Sequence, residues 1–495
     1  MATIASAGPE SRVPNPGIRH MQLSLAEVAT ILGTSSEFPD RIAAGYSIDT
    51  RTLVPGQLFF AIRGPRFDGH DFVAQALDRG AAGAVVNRGF REKADPKLAP
   101  ALLAVQDPTE ALQQLAREVR RKWGRRLVAV TGSAGKTTTK EIIASLLARR
   151  YAVLKSPGNM NNYYGLPLAL LALEPSHEVA VLELAMSAPG EIALLAQIAG
   201  PQVGVVTNVA PVHLQFFDSV DSIAKAKSEL IENLCPPATA VLNYDDERVR
   251  GFARQLTGGR VVTYGFEEGA QFRASGLHSD AEGGSRFRVK SPDFDYEFHF
   301  PLPGRHNVLN ALAAIATASL FDVPPEVMAP GLADPPTLHQ RSEILTLPGE
   351  ITILNDCYNS NPLAMEQMVE TLAAWPGARR QIVVAGEMLE LGPLSPEWHR
   401  NVGRKCAECG VDWLLAVQGD ARFFLEGAIE GGLPQERVEF FQTPEEAAGV
   451  CRGVLRPGDV VLVKGSRGVH LEKVIELLES SKEPPAGSEG PNRTS

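Results

Sequence analysis

The chain has few cysteines and no long apolar run. Only five cysteines occur in 495 residues: Cys235, Cys357, Cys406, Cys409 and Cys451. An odd, sparse set argues against a disulfide framework and for a reducing compartment. Cys406 and Cys409 form a C-x-x-C, but no second cysteine pair or nearby histidine pair completes a zinc site. They read as two cysteines a helical turn apart. No stretch of about 18 consecutive apolar residues occurs, so no membrane span is expected. Residues 1–20 lack the apolar stretch of a secretory signal and read as a loose arm. Residues 479–495 have almost nothing to bury and read as a disordered tail. A cytoplasmic protein is expected. The formal net charge of -10, with no long basic stripe, supplies no field for nucleic acid. Any anionic substrate must be met by local cations. A G-x-G-x-x-G after a strand is also missing, which argues against a nicotinamide dehydrogenase.

What is present suits a globular protein with several cores: 44% hydrophobic and 21% charged residues. At ~150 residues per domain, the length predicts about three domains. The first spans 21–125, with short strands at 58–62 and 82–87 and a charged helix near its end. The second spans 126–335, where short apolar runs at 127–132, 178–185, 203–210 and 238–243 alternate with helical segments. Such alternation indicates a mainly parallel sheet covered on both faces. Residues 266–300 alternate more finely, as in an antiparallel appendage, and 306–321 reads as a helix. The Pro-rich stretch VMAPGLADPPTLHQR marks the next boundary. A second α/β unit follows over 336–478, with strands at 352–356, 381–387, 413–419 and 459–465.

The sharpest local signal is the run Gly132, Ser133, Ala134, Gly135, Lys136, Thr137, Thr138, set between a strand and a helix beginning near Thr137. Glycines let the backbone turn tightly and aim N–H groups at one anion. The helix N-terminus adds its positive end. Lys136 can reach outer phosphates, and a hydroxyl, best Thr137, can ligate Mg²⁺. The loop is a compact form of the longer G-x-x-x-x-G-K-[ST] pattern, with Val130 where that pattern has its first glycine. Nucleotide binding alone does not name a reaction, since switches, motors, kinases and ligases share such loops.

Ligands of α/β sheets bind at the carboxyl ends of strands. Glu183 ends one apolar run, His213 lies just beyond another, and Lys227 lies on the following helix. Asn159, Asn161 and Asn162 crowd a Gly-flanked loop, where side-chain amides can orient phosphate or acyl oxygens. The plain alternatives are a solvated carboxylate, an incidental histidine, a wet helical face and an Asn/Gly turn.

The ordered motifs SIDTR, GPRFDGHDF, TGSAGKTTTKE, GNMNNYYGLPL, LELAMSAPGEI, TNVAPVHLQFF, AKAKSELI, GRHNVLNALAA, HQRSEI, NDCYNSNP, GEMLELG and VKGSRG resemble those of the Mur ligases of peptidoglycan synthesis. The resemblance runs from about Gln22 to Leu478. It implies an α/β protein of three domains: a smaller N-terminal α/β domain, a central P-loop-type sheet and a Rossmann-like C-terminal domain. Within the family, SIDTR, FDGHDF, DCYNSNP and GEMLELG imply the branch that adds D-alanyl-D-alanine to a UDP-N-acetylmuramoyl-tripeptide. By the same resemblance, Ser47, Asp49 and Arg51, with Phe67, Asp68, Gly69 and His70, bind the UDP-muramoyl tripeptide. Residues 132–138 hold the phosphates of ATP, while Thr137, Glu183 and His213 serve magnesium ions. Lys227 matches a carbamylated lysine that supports a metal. Asn307 and Asn310 face the adenine, and Arg341 and Asp356 reach the nucleotide from the C-terminal domain. Tyr358, Asn359 and Asn361 lie near the reacting groups; Lys464, Ser466 and Arg467 lie near the peptide end. Asn355, Glu387 and His470 depart from the family's usual residues.

The implied reaction passes through an acyl phosphate that the incoming amine attacks. No nucleophilic side chain is needed, so the missing Ser-His-Asp pattern is no objection. Lys136, Lys227 and His213 are the expected catalytic residues, ATP and Mg²⁺ the expected cofactors, and a monomer the expected state. Two rivals stay open. One is a sister amide ligase, adding the third peptide residue or glutamate to folate; offering D-alanyl-D-alanine against single amino acids discriminates it. The other is a nucleotide-dependent switch, which needs turnover without any amine.

Overall fold

Short apolar runs become the strands of parallel-rich sheets in the computed structural model, which describes residues 21–212 and 214–480. The expected N-terminal arm, most of the expected tail, and His213 lie outside the described residues. The chain forms two compact units. The first holds residues 21–123 together with Leu170–Ser176; the second holds Gly124–Ala169 and the rest of the chain from His177.

In the first unit, four parallel strands run in chain order: Tyr46–Ser47, Leu58–Phe60, Gly83–Asn87 and Leu102–Val105. Helix Leu25–Leu32 starts where Ser24 and Glu27 form a reciprocal capping box, and stops at left-handed Gly33. Its apolar stripe packs on helix Pro108–Trp123, where Leu112, Leu115 and Val119 are fully buried. Each such side chain contributes about 1.5–3 kcal/mol of burial. Leu173, also fully buried, accepts a backbone bond from Met21 N at 2.9 Å.

The second unit carries two sheets. In the nine-stranded sheet, Arg126–Thr131 lies between Val179–Glu183 and Val203–Val206, all parallel. These strands are buried almost throughout, as expected when helices cover both faces. Helices Lys136–Leu147 and Arg305–Ser319 pack against each other; the alanines of the second are buried and small enough to allow close approach. The antiparallel segment is strands Phe272–Ser279, Ser285–Lys290 and Asp295–Phe300. It is no separate appendage: it extends the central sheet through Arg260–Gly265. Strict alternation in Ser285–Lys290 buries Phe287 and Val289 and leaves the other face wet.

The six-stranded sheet has Asp459–Lys464 at its centre, between Ile351–Asn355 and Arg380–Gly386. Its strands are parallel except the edge strand Glu343–Leu347. That edge strand and Val438–Phe441 are additions to the strands read from sequence. Cys406 is buried and Cys409 partly so, both as free thiols. Burial pushes the Cys406 thiol up to about 12, which suits a packing role. Among the described residues, no helix is long and apolar enough to cross a membrane.

Candidate active site

The central strand Arg126–Thr131 ends in a loop that crosses to helix Lys136–Leu147. Both loop glycines are forced. A Cβ on Gly132 would fall 1.8 Å from Thr207 Oγ1, and one on Gly135, at φ +78°, would fall 2.3 Å from Asn310 Oδ1. Asn208 grips the loop from the neighbouring strand end: its Oδ1 accepts from Ala134 N at 2.9 Å and its Nδ2 donates to Ala134 O at 3.2 Å. Thr207 Oγ1 donates to the same carbonyl at 2.6 Å. Ser133 Oγ accepts from Ala210 N at 2.8 Å. The loop is thereby held from one side, and its helix-start N–H groups face a cleft.

Lys136 folds back over the loop, its Nζ donating to Gly132 O at 2.8 Å. Burial pushes its ammonium below the ordinary lysine range; Glu183 opposes the shift and Arg341 adds to it. Thr137 Oγ1 donates to Glu183 Oε2 at 2.7 Å, and Asn161 Nδ2 to Glu183 Oε1 at 2.9 Å. Both carboxylate oxygens are therefore fixed, and the residue is only 2% exposed.

The opposite wall comes from the six-stranded sheet. Asp356 and Lys464 follow or end adjacent parallel strands and form an ion pair. Lys464 Nζ also donates to Asn359 O at 2.9 Å, and Asp356 Oδ1 accepts from Ser342 N at 2.8 Å. The Arg341 guanidinium stacks 4.0 Å from the centre of the Tyr358 ring. Asn307 Nδ2 donates to Ser342 Oγ at 3.1 Å, and Asn310 Nδ2 to Asn307 Oδ1 at 3.3 Å.

A cleft of about 290 Å³ joins these groups: it is lined by 133–138, Asn161 and Glu183 on one side and by Arg341, Asp356, Tyr358 and Lys464 on the other, with Asn307 and Asn310 between. Asn359 and Asn361 also line it. Asn361 caps helix Pro362–Ala373 through Ala364 N at 2.9 Å. Not every expected residue faces the cleft. Asn162 caps a helix start instead, accepting from Gly165 N at 2.9 Å. Ser466 Oγ accepts from Leu389 N at 2.9 Å, and Arg467 donates to Gln340 Oε1 at 2.6 Å. These two hold neighbouring loops outside the cleft lining. Of the departures, Asn355 donates to Glu343 Oε2 at 2.8 Å and ties the ends of two paired strands, while Glu387 accepts from Asp420 N at 3.0 Å and holds a loop.

Lys227 is 2% exposed. Burial pushes its amine well below the usual range, and the charge of Lys136 pushes it further. Among the described residues it has no ion-pair partner, and no cluster of three or more His, Cys, Asp and Glu is preformed for a metal. Thr137 and Glu183 are hard oxygen donors side by side, a pair suited to Mg²⁺.

In the first unit, Asp49 Oδ2 pairs with Arg51 at 2.6 Å, and Ser47 Oγ accepts from Asp49 N at 3.2 Å. The SIDTR segment is a built turn. In FDGHDF, Phe67 is exposed whereas His70 is buried. His70 Nε2 accepts from Asn87 N at 3.0 Å, so Nδ1 carries the proton it shares with Asp68 Oδ1 at 2.6 Å. Burial alone would raise the Asp68 carboxyl; bonds from His70 and Arg63 outweigh it and bring it down to about 2. Gly69 N donates to Ile62 O at 2.8 Å. Gly69 and His70 thus shape the loop that presents Phe67 and Asp68.

Sequence reasoning missed the roles of Asn208 and His306, though both lie inside quoted motifs. Asn208 was marked only by its place just past a strand end. His306 lines the cleft. Burial pushes its imidazole from 6.5 down to about 4, with Asp356 opposing and Lys464 adding. The unfolded ring gains a proton as pH falls below 6.5, whereas the folded ring stays neutral to about 4. Stability is thus full above that window and falls as pH drops through it. His306→Gln is expected to flatten this acid-side loss by about 1–2 kcal/mol, read from urea unfolding at neutral pH and near pH 4.5.

Residues 43–120 match the family model described as Mur ligase family, catalytic domain; residues 130–318 match the Mur ligase middle domain; and residues 340–467 match the Mur ligase, glutamate ligase domain. The chain belongs to the Mur ligase family. The ligase is 34% identical over 464 residues to UDP-N-acetylmuramoyl-tripeptide--D-alanyl-D-alanine ligase of Bacillus subtilis (strain 168), covering 94% of this chain and 99% of that protein. It is similar to the crystal structure of MurF from Acinetobacter baumannii, with a TM-score of 0.85 and 29% identity over 94% of this ligase and 100% of that chain. It is also similar to MurF ligase from Thermotoga maritima in complex with ADP, with a TM-score of 0.77 and 31% identity over 88% and 97% of the two chains.

Proposed function

We propose that this ligase joins D-alanyl-D-alanine to the free carboxylate of a UDP-N-acetylmuramoyl-tripeptide, with ATP converted to ADP and phosphate, in peptidoglycan precursor synthesis. One observation carries the chemistry: a phosphate loop with Lys136 faces, across one cleft, a charged wall made by Arg341, Asp356 and Lys464. Phosphoryl transfer to an acid needs the first; seating a second reactant beside it needs the other. The particular acid and amine are supported by the relative from Bacillus subtilis, which aligns along nearly its whole length.

The tripeptide carboxylate attacks the γ-phosphorus, the bond to ADP breaks, and an acyl phosphate forms. Lys136 offsets the charge that develops on the transferring group. The uncharged amine of the dipeptide then attacks the acyl carbon, a tetrahedral intermediate collapses, and phosphate and a proton leave. Both walls exclude water from an acyl phosphate that would otherwise hydrolyse. Thr137 and Glu183, with His213, would hold magnesium, which offsets phosphate charge when bound. The uncharged amine of Lys227 is the form that adds carbon dioxide; with a proton released to water, the resulting carbamate supplies an anion beside Lys136. Asn307 and Asn310 would face the base. In this reading 21–125 seats the UDP sugar, 126–335 the nucleotide and 336–478 the dipeptide, in a cytoplasmic monomer. Ser47, Asp49, Arg51, Phe67 and Asp68 contribute to the sugar site, and Tyr358, Asn359 and Asn361 border the reacting groups.

The deciding experiment measures ADP release with a UDP-muramoyl tripeptide, with and without D-alanyl-D-alanine, and weighs the product. Dependence on the dipeptide, with a product heavier by the dipeptide less water, is expected. Preference for a single amino acid would assign a sister reaction; turnover indifferent to any amine would assign a switch.

A further inference from the structure

Three residues beyond Thr137, on the same side of helix Lys136–Leu147, lies a lysine that no step of the reaction uses. Lys140 is fully buried. Its Nζ donates to Ser156 O at 2.8 Å and Gly158 O at 3.3 Å, and pairs with Glu141 Oε1 at 3.0 Å. Three donors meet three acceptors. Burying an ammonium is costly, and an apolar side chain would pack the helix without that cost. Bonding two carbonyls of a loop is what an apolar side chain cannot do.

The loop thus tethered begins after strand Val153–Lys155, and its other contacts converge on the end of the strand that carries Glu183. Ser156 Oγ accepts from Glu183 N at 3.2 Å, and Ser156 N donates to Val181 O at 3.1 Å. Farther along, Asn161 O accepts from Ala185 N at 2.9 Å, while Asn161 Nδ2 holds Glu183 Oε1 at 2.9 Å. Thr137 holds the second oxygen of Glu183 from the helix. The contacts close a ring: helix to Lys140, to loop, to Asn161, to Glu183, to Thr137, and back to the helix.

We propose that Lys140 is a positioning residue for the ligase reaction, pinning loop 156–162 so that Glu183 and Thr137 stand in fixed register. The proposal rests on the reading of Thr137 and Glu183 as the magnesium-holding pair. Loss of register at a reacting site costs rate steeply, because binding then no longer fixes the geometry of attack.

The test is Lys140→Met, which keeps most of the length of the side chain and removes its donors. Two readouts are taken on the full chain. Hydrogen exchange of the 156–162 amides, measured without ligands, is expected to accelerate about tenfold or more as local opening becomes easier. The magnesium concentration giving half-maximal turnover is expected to rise about tenfold, with the KM for D-alanyl-D-alanine unchanged. Lys155→Ala, which breaks only the outer pair between Lys155 and Glu141, is expected to change neither. Should Lys140→Met fail to fold, Ser156→Ala keeps the question open to refutation: it removes the hydroxyl on Glu183 N and is expected to raise the magnesium requirement with little change in melting temperature. A folded Lys140→Met protein with slow loop exchange and an unchanged magnesium requirement overturns the proposal. A lower melting temperature with an unchanged magnesium requirement also overturns it, leaving a packing role. If the unaltered protein turned over no amine at all, the ligase reading would fail instead, and the exchange measurement would still report on the tether.

Discussion

Replacing Lys136 with alanine is expected to reduce ADP release about a thousandfold, equivalent to about 4 kcal/mol of transition-state stabilisation. The size follows from where the ammonium sits. It is partly buried at the helix start, bonded to Gly132 O at 2.8 Å, with the Glu183 carboxylate close enough to oppose its desolvation. In such a site a cation acts on phosphoryl charge through little water, so its removal is felt at full strength. Thr207 and Asn208 hold the loop without using the lysine side chain. The altered protein should therefore keep its fold, and melting temperature and ADP release should separate cleanly. Near-normal turnover with tripeptide and dipeptide present would strip the loop of its assigned task.

Lys227→Ala is expected to lower turnover by about a hundredfold or more, with partial recovery on adding bicarbonate or a short carboxylate. Burial, with the charge of Lys136 added, pushes the Lys227 amine toward its neutral form. That form is the nucleophile for carbon dioxide, and the carbamate places an anion beside Lys136, where an ammonium would be repelled. Depleting carbon dioxide should slow the unaltered enzyme and leave the alanine variant indifferent. Full activity in the alanine variant would remove the carbamate from the account, while retaining the phosphate loop.

Much of this architecture was legible because strands buried on both faces leave continuous apolar runs, and because a glycine turn before a Lys-Thr pair has few other uses. Strand Arg126–Thr131, Glu183 at a strand end and helix Arg305–Ser319 follow directly from such patterns. The cleft's far wall was implied only by resemblance, since nothing in the spacing of Arg341, Asp356 and Lys464 tells that two strands distant in sequence lie side by side. Parallel pairing across such a gap is a property of the sheet, not of any window of residues. The same reason hid the tasks of Asn208 and Lys140, which act through backbone groups that the sequence does not display. Other polar motif residues have structural partners of their own: His70, Asn162 and Ser466 hydrogen-bond to loop backbone. A side chain that shapes a loop and one that touches a ligand leave the same mark in a motif.

Leu170–Ser176 clusters with the first unit although the chain on either side of it belongs to the second. Modules here are therefore interleaved rather than laid end to end. A fragment ending at Trp123 would lose the carbonyl of Leu173 that receives Met21 N, along with the apolar cover this segment provides. Exchanging the first module between relatives by a single crossover near Gly124 would pair each new front segment with a foreign patch. A chimaera built to transfer the first module should carry both pieces together.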